Sequence, residues 1–190
     1  MEPCNTPKRI DDAVKNFCKS IAPDSIPEYV QVYPELWCKQ NECYNNVMQK
    51  VAKSGGRRQL GWRIQVVPAP LPKFMIEAVH HAIWITENGD KIDITPQPDS
   101  GNRIVFLADD SVELGEYRIG EKYQALLNWK EVIEYVRLCN LESTEYVNKT
   151  KLNEQPQIPK ELLEKQDFFL QKIIERCMKE NLINVFGTRW

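Results

Sequence analysis

Residues 79–96 read Val79-His80-His81-Ala82-Ile83-Trp84-Ile85-Thr86-Glu87-Asn88-Gly89-Asp90-Lys91-Ile92-Asp93-Ile94-Thr95-Pro96, and the fold turns on how this stretch is paired. β-Branched and aromatic residues on either side of Asn88-Gly89 spell two strands joined by a tight turn. Side chains alternate across a strand, so His80 and His81 point to opposite faces. If Glu87-Asn88-Gly89 is a three-residue loop with Gly89 left-handed, Thr86 pairs with Asp90 and Ile83 with Asp93. Asp93 then shares a face with His81, as a diagonal neighbour about 7–8 Å away. If Asn88-Gly89 is a two-residue turn, Asp93 pairs with Trp84 and lies on the face of His80. One residue of register decides which histidine the carboxylate can hold.

Working outward, Leu60–Val67, Phe74–Ile85, Lys91–Thr95 and Ile104–Leu107 carry strand patterns, separated by Pro68-Ala69-Pro70, Asn88-Gly89 and Asp99-Ser100-Gly101-Asn102. The expected arrangement is an antiparallel meander. A helix precedes it, starting close to Cys43, carrying Val47 and Val51 on one face and closed by Ser54-Gly55-Gly56. Upstream, Pro23, Pro27 and Pro34 predict an extended, irregular stretch over 22–37. Residues 6–21 read as a helix with Thr6 as N-cap, Pro7 at the first position, and Ile10, Val14, Phe17 and Ile21 at helical spacing. Downstream, Leu126, Trp129, Val132, Ile133 and Val136 mark one amphipathic helix. Pro159 followed by Leu162, Leu163, Phe169, Leu170, Ile173, Ile174 and Cys177 marks another, with a polar loop over 141–158 between them. The expected class is α+β, one compact domain made of an N-terminal helix and arm (1–36), a core (37–120) and a C-terminal helical part (121–190).

Composition narrows the function. The chain has 190 residues, with 25 Lys+Arg against 27 Asp+Glu, a net charge of −2, and 42% hydrophobic residues. No basic excess is available to neutralise phosphates, which argues against a nucleic-acid partner. No apolar run reaches the 18 or more residues a membrane span needs, and Met1-Glu2-Pro3-Cys4-Asn5 has neither a basic nor an apolar leader region. The expectation is a cytoplasmic protein with no membrane partner, whose six cysteines, at 4, 18, 38, 43, 139 and 177, are reduced thiols.

Among them Cys43 stands out, because unpaired N–H groups and the dipole at a helix start favour a thiolate. Acyl-transfer chemistry also needs a base and a group to orient it. The chain has 2 histidines, so the base is His80 or His81.

Cys43 at a helix start, Gly61-Trp62, His81-Ala82-Ile83-Trp84 and Asp93-Ile94-Thr95-Pro96 together resemble the core of the transglutaminase-like, papain-related cysteine enzymes. The likeness spans roughly residues 37–107. It differs from the family pattern in Ile83 before Trp84, in a compact spacing from His81 to Asp93, and in Tyr44 where a tryptophan often follows the nucleophile. The resemblance implies a helix packed on an antiparallel sheet with C-terminal helices added. It implies Cys43 as nucleophile, His81 as general base and acid, and Asp93 as the residue that orients the ring, and it favours the three-residue loop.

The Cys43 backbone N–H is the natural first oxyanion donor, with Gln40, Asn41 or Asn46 as side-chain candidates. Trp62 and Trp84 are candidates for core or for the wall of a substrate pocket. Cys4, Cys18, Cys139 and Cys177 read as packing residues. Asp93 can also simply open a turn before Pro96. Cys38 and Cys43 lack knuckle spacing and adjacent strand histidines cannot both face one ion, so no metal is expected. Gly55-Gly56-Arg57-Arg58 lacks the Lys-Ser/Thr of a phosphate loop, so no cofactor is expected either. The expected activity is thiol-dependent hydrolysis of an amide in a peptide, protein or other substrate, as a peptidase, amidase or deamidase, or else transamidation. The alternative is a non-catalytic interaction module on the same scaffold, which a His81 turned away from Cys43 would favour.

Overall fold

The structure, a computed structural model, describes residues 6–66, 71–98 and 101–183. Cys4, Val67, Pro68-Ala69-Pro70 and Asp99-Ser100 lie outside the described residues. The chain is α+β and divides into two units, Met1–Gln65 with Ala78–Glu113, and Val66–Glu77 with Leu114–Trp190. This division runs differently from the reading 1–36, 37–120 and 121–190. Residues 1–36 belong to the same unit as the strands after Ala78, and 66–77 and 114–120 go with the C-terminal helices.

In the first unit, α1 (Asp12–Ile21) starts later than expected. Asp11 caps it, its carboxylate accepting from Val14 N–H at 3.1 Å, while the Thr6 hydroxyl donates to Arg103 O at 3.1 Å. Thr6 and Pro7 are thus drawn to the sheet and not to the helix. The stretch expected to be irregular contains β1 (Glu28–Val32), and its prolines bound the strand instead of breaking it. α2 (Cys43–Ser54) begins at Cys43 and ends at Gly55, as its pattern predicts. The strands β2 (Arg57–Val66), β3 (Met75–Ile85), β4 (Lys91–Asp93) and β5 (Arg103–Ala108) follow.

These strands do not form an antiparallel meander. Their order is β2-β5-β1-β4-β3, with β2 also pairing β3, so the five close into a barrel; β6 (Lys122–Ala125) stands beyond β3. β1 is inserted between β5, antiparallel, and β4, parallel, with Val32 opposite Asp93. Sequence-adjacent pairing fails between β4 and β5, because β1 lies between them and supplies the apolar centre both need: Val30, Val32, Ile83, Ile104 and Phe106 fill one buried cluster. The β3–β4 hairpin keeps the three-residue loop. Trp84 pairs with Ile92 and Ile85 with Lys91, Thr86 N–H donates to Asp90 O at 2.9 Å, and Gly89 has φ 91°.

α2 lies on the other face of these strands. Cys43 and Val47 are buried with Cys38, Leu60, Ala82 and Ile94, with Trp84 and Ile92 packed around them. No side chain caps its first turn. Each buried aliphatic contributes about 1.5–3 kcal/mol against about 1 kcal/mol for a typical cap, so packing fixes the start of this helix. The preceding segment is tied down as well: Tyr33 N–H donates to Asp93 O at 2.8 Å, Trp37 Nε1–H to Glu35 Oε2 at 2.7 Å, and Lys50 of α2 pairs with Glu35.

The second unit holds β6, α3 (Lys130–Glu142) and α4 (Lys160–Lys179). Its core joins Phe74, Val132, Val136, Ile173 and Cys177. α3 starts after Trp129 and not at Leu126, whose N–H donates to Phe74 O at 2.7 Å and so prolongs the strand geometry of β6. The stretch expected as loop begins with the end of α3 and a π-helical turn, Ser143–Val147.

Candidate active site

Cys43, His81 and Asp93 all belong to the first unit. The register of the β3–β4 hairpin puts Asp93 on the side of His81, and the His81 Nε2 stands 2.9 Å from Asp93 Oδ2. That contact leaves Nδ1 for the thiol, and the His81 ring and Cys43 Sγ are hydrogen-bond partners. The Ala82 backbone N–H also donates to the Cys43 sulfur. A helix start, an imidazole and a strand amide thus converge on one sulfur atom.

The electrostatics follow from these neighbours. Burial is the largest influence on Cys43 and raises its pKa, but the His81 charge, its hydrogen bond and the Ala82 N–H together outweigh it. The thiol ends below its ordinary value. Burial likewise pushes His81 toward the neutral form, and Asp93 and then Cys43 more than reverse it, raising the ring to about 10. Both shifts favour one state, a thiolate beside an imidazolium. The remaining described cysteines behave oppositely: burial pushes Cys18 and Cys139 up to about 12, and raises Cys38 and Cys177. Cys18, Cys139 and Cys177 are buried packing residues.

Asp93 is fully buried, with 0% exposure. Its Oδ1 accepts from Thr95 N–H at 2.9 Å, and its Oδ2 accepts from Gln97 Nε2–H at 2.7 Å as well as facing His81. One oxygen of Asp93 thus closes the turn at Thr95 while the other faces His81 and Gln97. Gln97 is itself held: its Oε1 accepts from Arg63 Nη1, and its Nε2 also donates to Thr95 O at 3.1 Å. Gln97 and Arg63 escape a motif reading, and Thr95 and Ala82 stand in the motifs with no role assigned to their amides. The available signal was Gln97, four residues after Asp93 across a proline that turns the chain back.

His80 occupies the opposite face. The Tyr44 hydroxyl and His80 Nδ1 are 2.6 Å apart, and Trp62 stands edge-on to the ring at 5.0 Å. Tyr44, the residue after Cys43, thus engages the histidine just before His81.

Other expected residues serve elsewhere. Asn46 is not an oxyanion donor: its Nδ2 donates to Lys39 O at 2.7 Å and Thr95 Oγ1 at 3.2 Å, and its Oδ1 accepts from Lys39 N–H at 3.1 Å. Its amide fastens the loop before α2 to the turn after Asp93. Gln40 and Asn41 are exposed in that loop, where Asn41 adopts φ 62° just ahead of the helix. Trp62 is not a pocket wall but core, 1% exposed, its Nε1–H donating to Asp109 Oδ2 at 2.8 Å. Trp84 is half-buried and braces the end of α2, donating to Gly55 O at 3.0 Å with Lys50 Nζ 4.6 Å from its ring centroid.

Among the described residues no group of three or more His, Cys, Asp or Glu is placed to hold a metal ion, and no helix is long and apolar enough to cross a membrane. Compared with known proteins, the chain matches no protein-family model, no curated protein and no solved structure. The resemblance to transglutaminase-like and papain-like enzymes is thus a reading of the sequence motifs alone.

Proposed function

We propose that the first unit carries a papain-like or transglutaminase-like core and acts as a thiol-dependent acyl-transfer enzyme, hydrolysing an amide through a thioester at Cys43. The observation that carries the reading is the His81 ring interacting with both Asp93 and Cys43, its Nε2 2.9 Å from the Asp93 carboxylate. Of the two features that would favour the interaction-module alternative, a closed cleft and a His81 turned away from the thiol, the second is at odds with this contact, which supports the catalytic reading.

In the proposed reaction the Cys43 thiolate adds to the amide carbonyl, and the carbonyl electron pair moves to oxygen. The Cys43 backbone N–H, which as the first residue of a helix has no intrahelical acceptor, is placed to receive that oxyanion. The C–N bond then breaks as His81 gives its proton to the leaving amine. Water, deprotonated by the now neutral ring, attacks the thioester and releases the acid and the thiolate. Asp93 keeps the imidazole in one tautomer throughout. An amine in place of water gives transamidation by the same steps.

The test is the pH dependence of alkylation by iodoacetamide, read residue by residue by mass spectrometry. Cys43 should label first among the cysteines, with half-maximal rate below the ordinary thiol value of about 8.5, and Cys43→Ala should remove the fast label while the protein stays folded. A Cys43 that titrates as an ordinary thiol would sink the reading.

A further inference from the structure

Gln97 is a neutral side chain that meets Asp93 on its His81-facing oxygen. Its Nε2 reaches the same Asp93 oxygen that faces His81, at 2.7 Å, and its second Nε2 hydrogen goes to Thr95 O. Its Oε1 is taken by Arg63 Nη1. Arginine only donates and a carboxylate only accepts, so this pair of neighbours admits one orientation of the amide: oxygen toward Arg63, nitrogen toward Asp93. Flipped, the amide would set oxygen against oxygen at Asp93 and N–H against N–H at Arg63.

Arg63 is itself built in for this contact. In β2 it pairs with Phe106 of β5, a residue of the barrel core, so its side chain shares the face of that core. Its Nε is buried without a partner among the described residues. An unmet buried N–H is costly, a cost a solvent-facing lysine would avoid.

Resting on the triad reading above, we propose that Gln97 is a positioning residue, locked by Arg63, that holds the Asp93 carboxylate in the rotamer that orients His81 toward Cys43. The five side chains Arg63, Gln97, Asp93, His81 and Cys43 then form one relay from the barrel face to the sulfur. Removing the Gln97 donor frees Asp93 Oδ2 to swing away from the ring, and His81 no longer holds its proton against the thiolate.

The experiment measures the midpoint of iodoacetamide labelling of Cys43 against pH in the full chain, with thermal unfolding recorded for each variant. Gln97→Leu keeps the volume and loses the amide; the expected result is a midpoint raised by about 1 pH unit, and labelling at pH 6 slowed about tenfold. Arg63→Met should move it the same way, because the amide is then free to flip, whereas Arg63→Lys keeps one cationic donor and should restore most of the wild-type midpoint. These two variants carry the test if Gln97→Leu does not fold. A folded Gln97→Leu or Arg63→Met with the wild-type midpoint overturns the relay alone. A wild-type midpoint near 8.5 overturns the triad reading and the relay with it.

Discussion

Cys43 lives between opposing influences: burial at 7% exposure works against its charge, and one imidazole and one amide work for it. Such a balance makes its reactivity sensitive to a single neighbour. His81→Asn leaves burial almost unopposed, so the Cys43 labelling midpoint should rise to or above about 8.5. His80→Asn removes the partner of Tyr44 and the ring beneath Trp62 but no influence on the sulfur, so it should lower the melting temperature while leaving the midpoint where it was. Equal midpoint shifts in the two variants would mean that the assignment of His81 as the base is mistaken. Cys43 could be picked out because a helix start is a local signal, whereas strand alternation left two registers open and His81 with Asp93 came from the family resemblance. Gln97, Arg63 and the Ala82 amide could not be picked out, since a hydrogen bond from β2 to a turn after β4 depends on the barrel and leaves no periodic trace.

At the scale of elements, α2 and the β3–β4 hairpin are readable because their determinants are contiguous: Gly55 and Gly56 stop the helix, and Gly89 sets the register. The two turns differ in how much room they leave. At Gly56, with φ 77°, an added Cβ would meet Ile85 O at 2.2 Å and Trp84 Nε1 at 2.8 Å; at Gly89, with φ 91°, it meets nothing within 4 Å. Gly89→Ala should therefore cost only the left-handed strain, about 1–2 kcal/mol, and Gly56→Ala clearly more, because backbone must also move. Urea unfolding of the two variants compares them directly, and a Gly56 variant no less stable than the Gly89 variant would contradict the close approach. β1 was unreadable for a matching reason. Five residues bounded by prolines carry a weak pattern, and what makes them a central strand is the pairing with β4 and β5.

For the molecule as a whole, the ion pair makes stability depend on pH through two opposing slopes. His81, raised to about 10, contributes stability in full below about pH 6.5 and loses it as pH rises through about 10. Cys43, lowered, contributes above about pH 8.5 and loses that contribution as pH falls through its depressed value. Near neutrality the two slopes offset each other. Cys43→Ala removes the second, leaving Asp93 alone to hold the proton on His81, so its unfolding free energy should decline from about pH 6.5 upward more steeply than that of the wild type. Urea titrations at several pH values measure this; parallel profiles would show that the folded protein keeps His81 neutral. The α+β class was legible from the run of patterns along the chain, whereas barrel closure was not, because strand order is a property of partners far apart in sequence.

The parallel seam between β1 and β4 also has a kinetic meaning. Val32 faces Asp93 across it, and β1 meets β5 on its other side, so β1 must wait for partners from much later in the chain. Long-range pairing of this kind is slow, since loop-closure entropy is spent before the contacts return it. Until the seam zips, Asp93 has no fixed seat and the thiol no imidazolium beside it. If Cys43 is the nucleophile proposed above, folding withholds its reactivity: the half-built chain carries only an ordinary cysteine, and the thiolate is favoured once His81 and the Ala82 amide stand beside the sulfur.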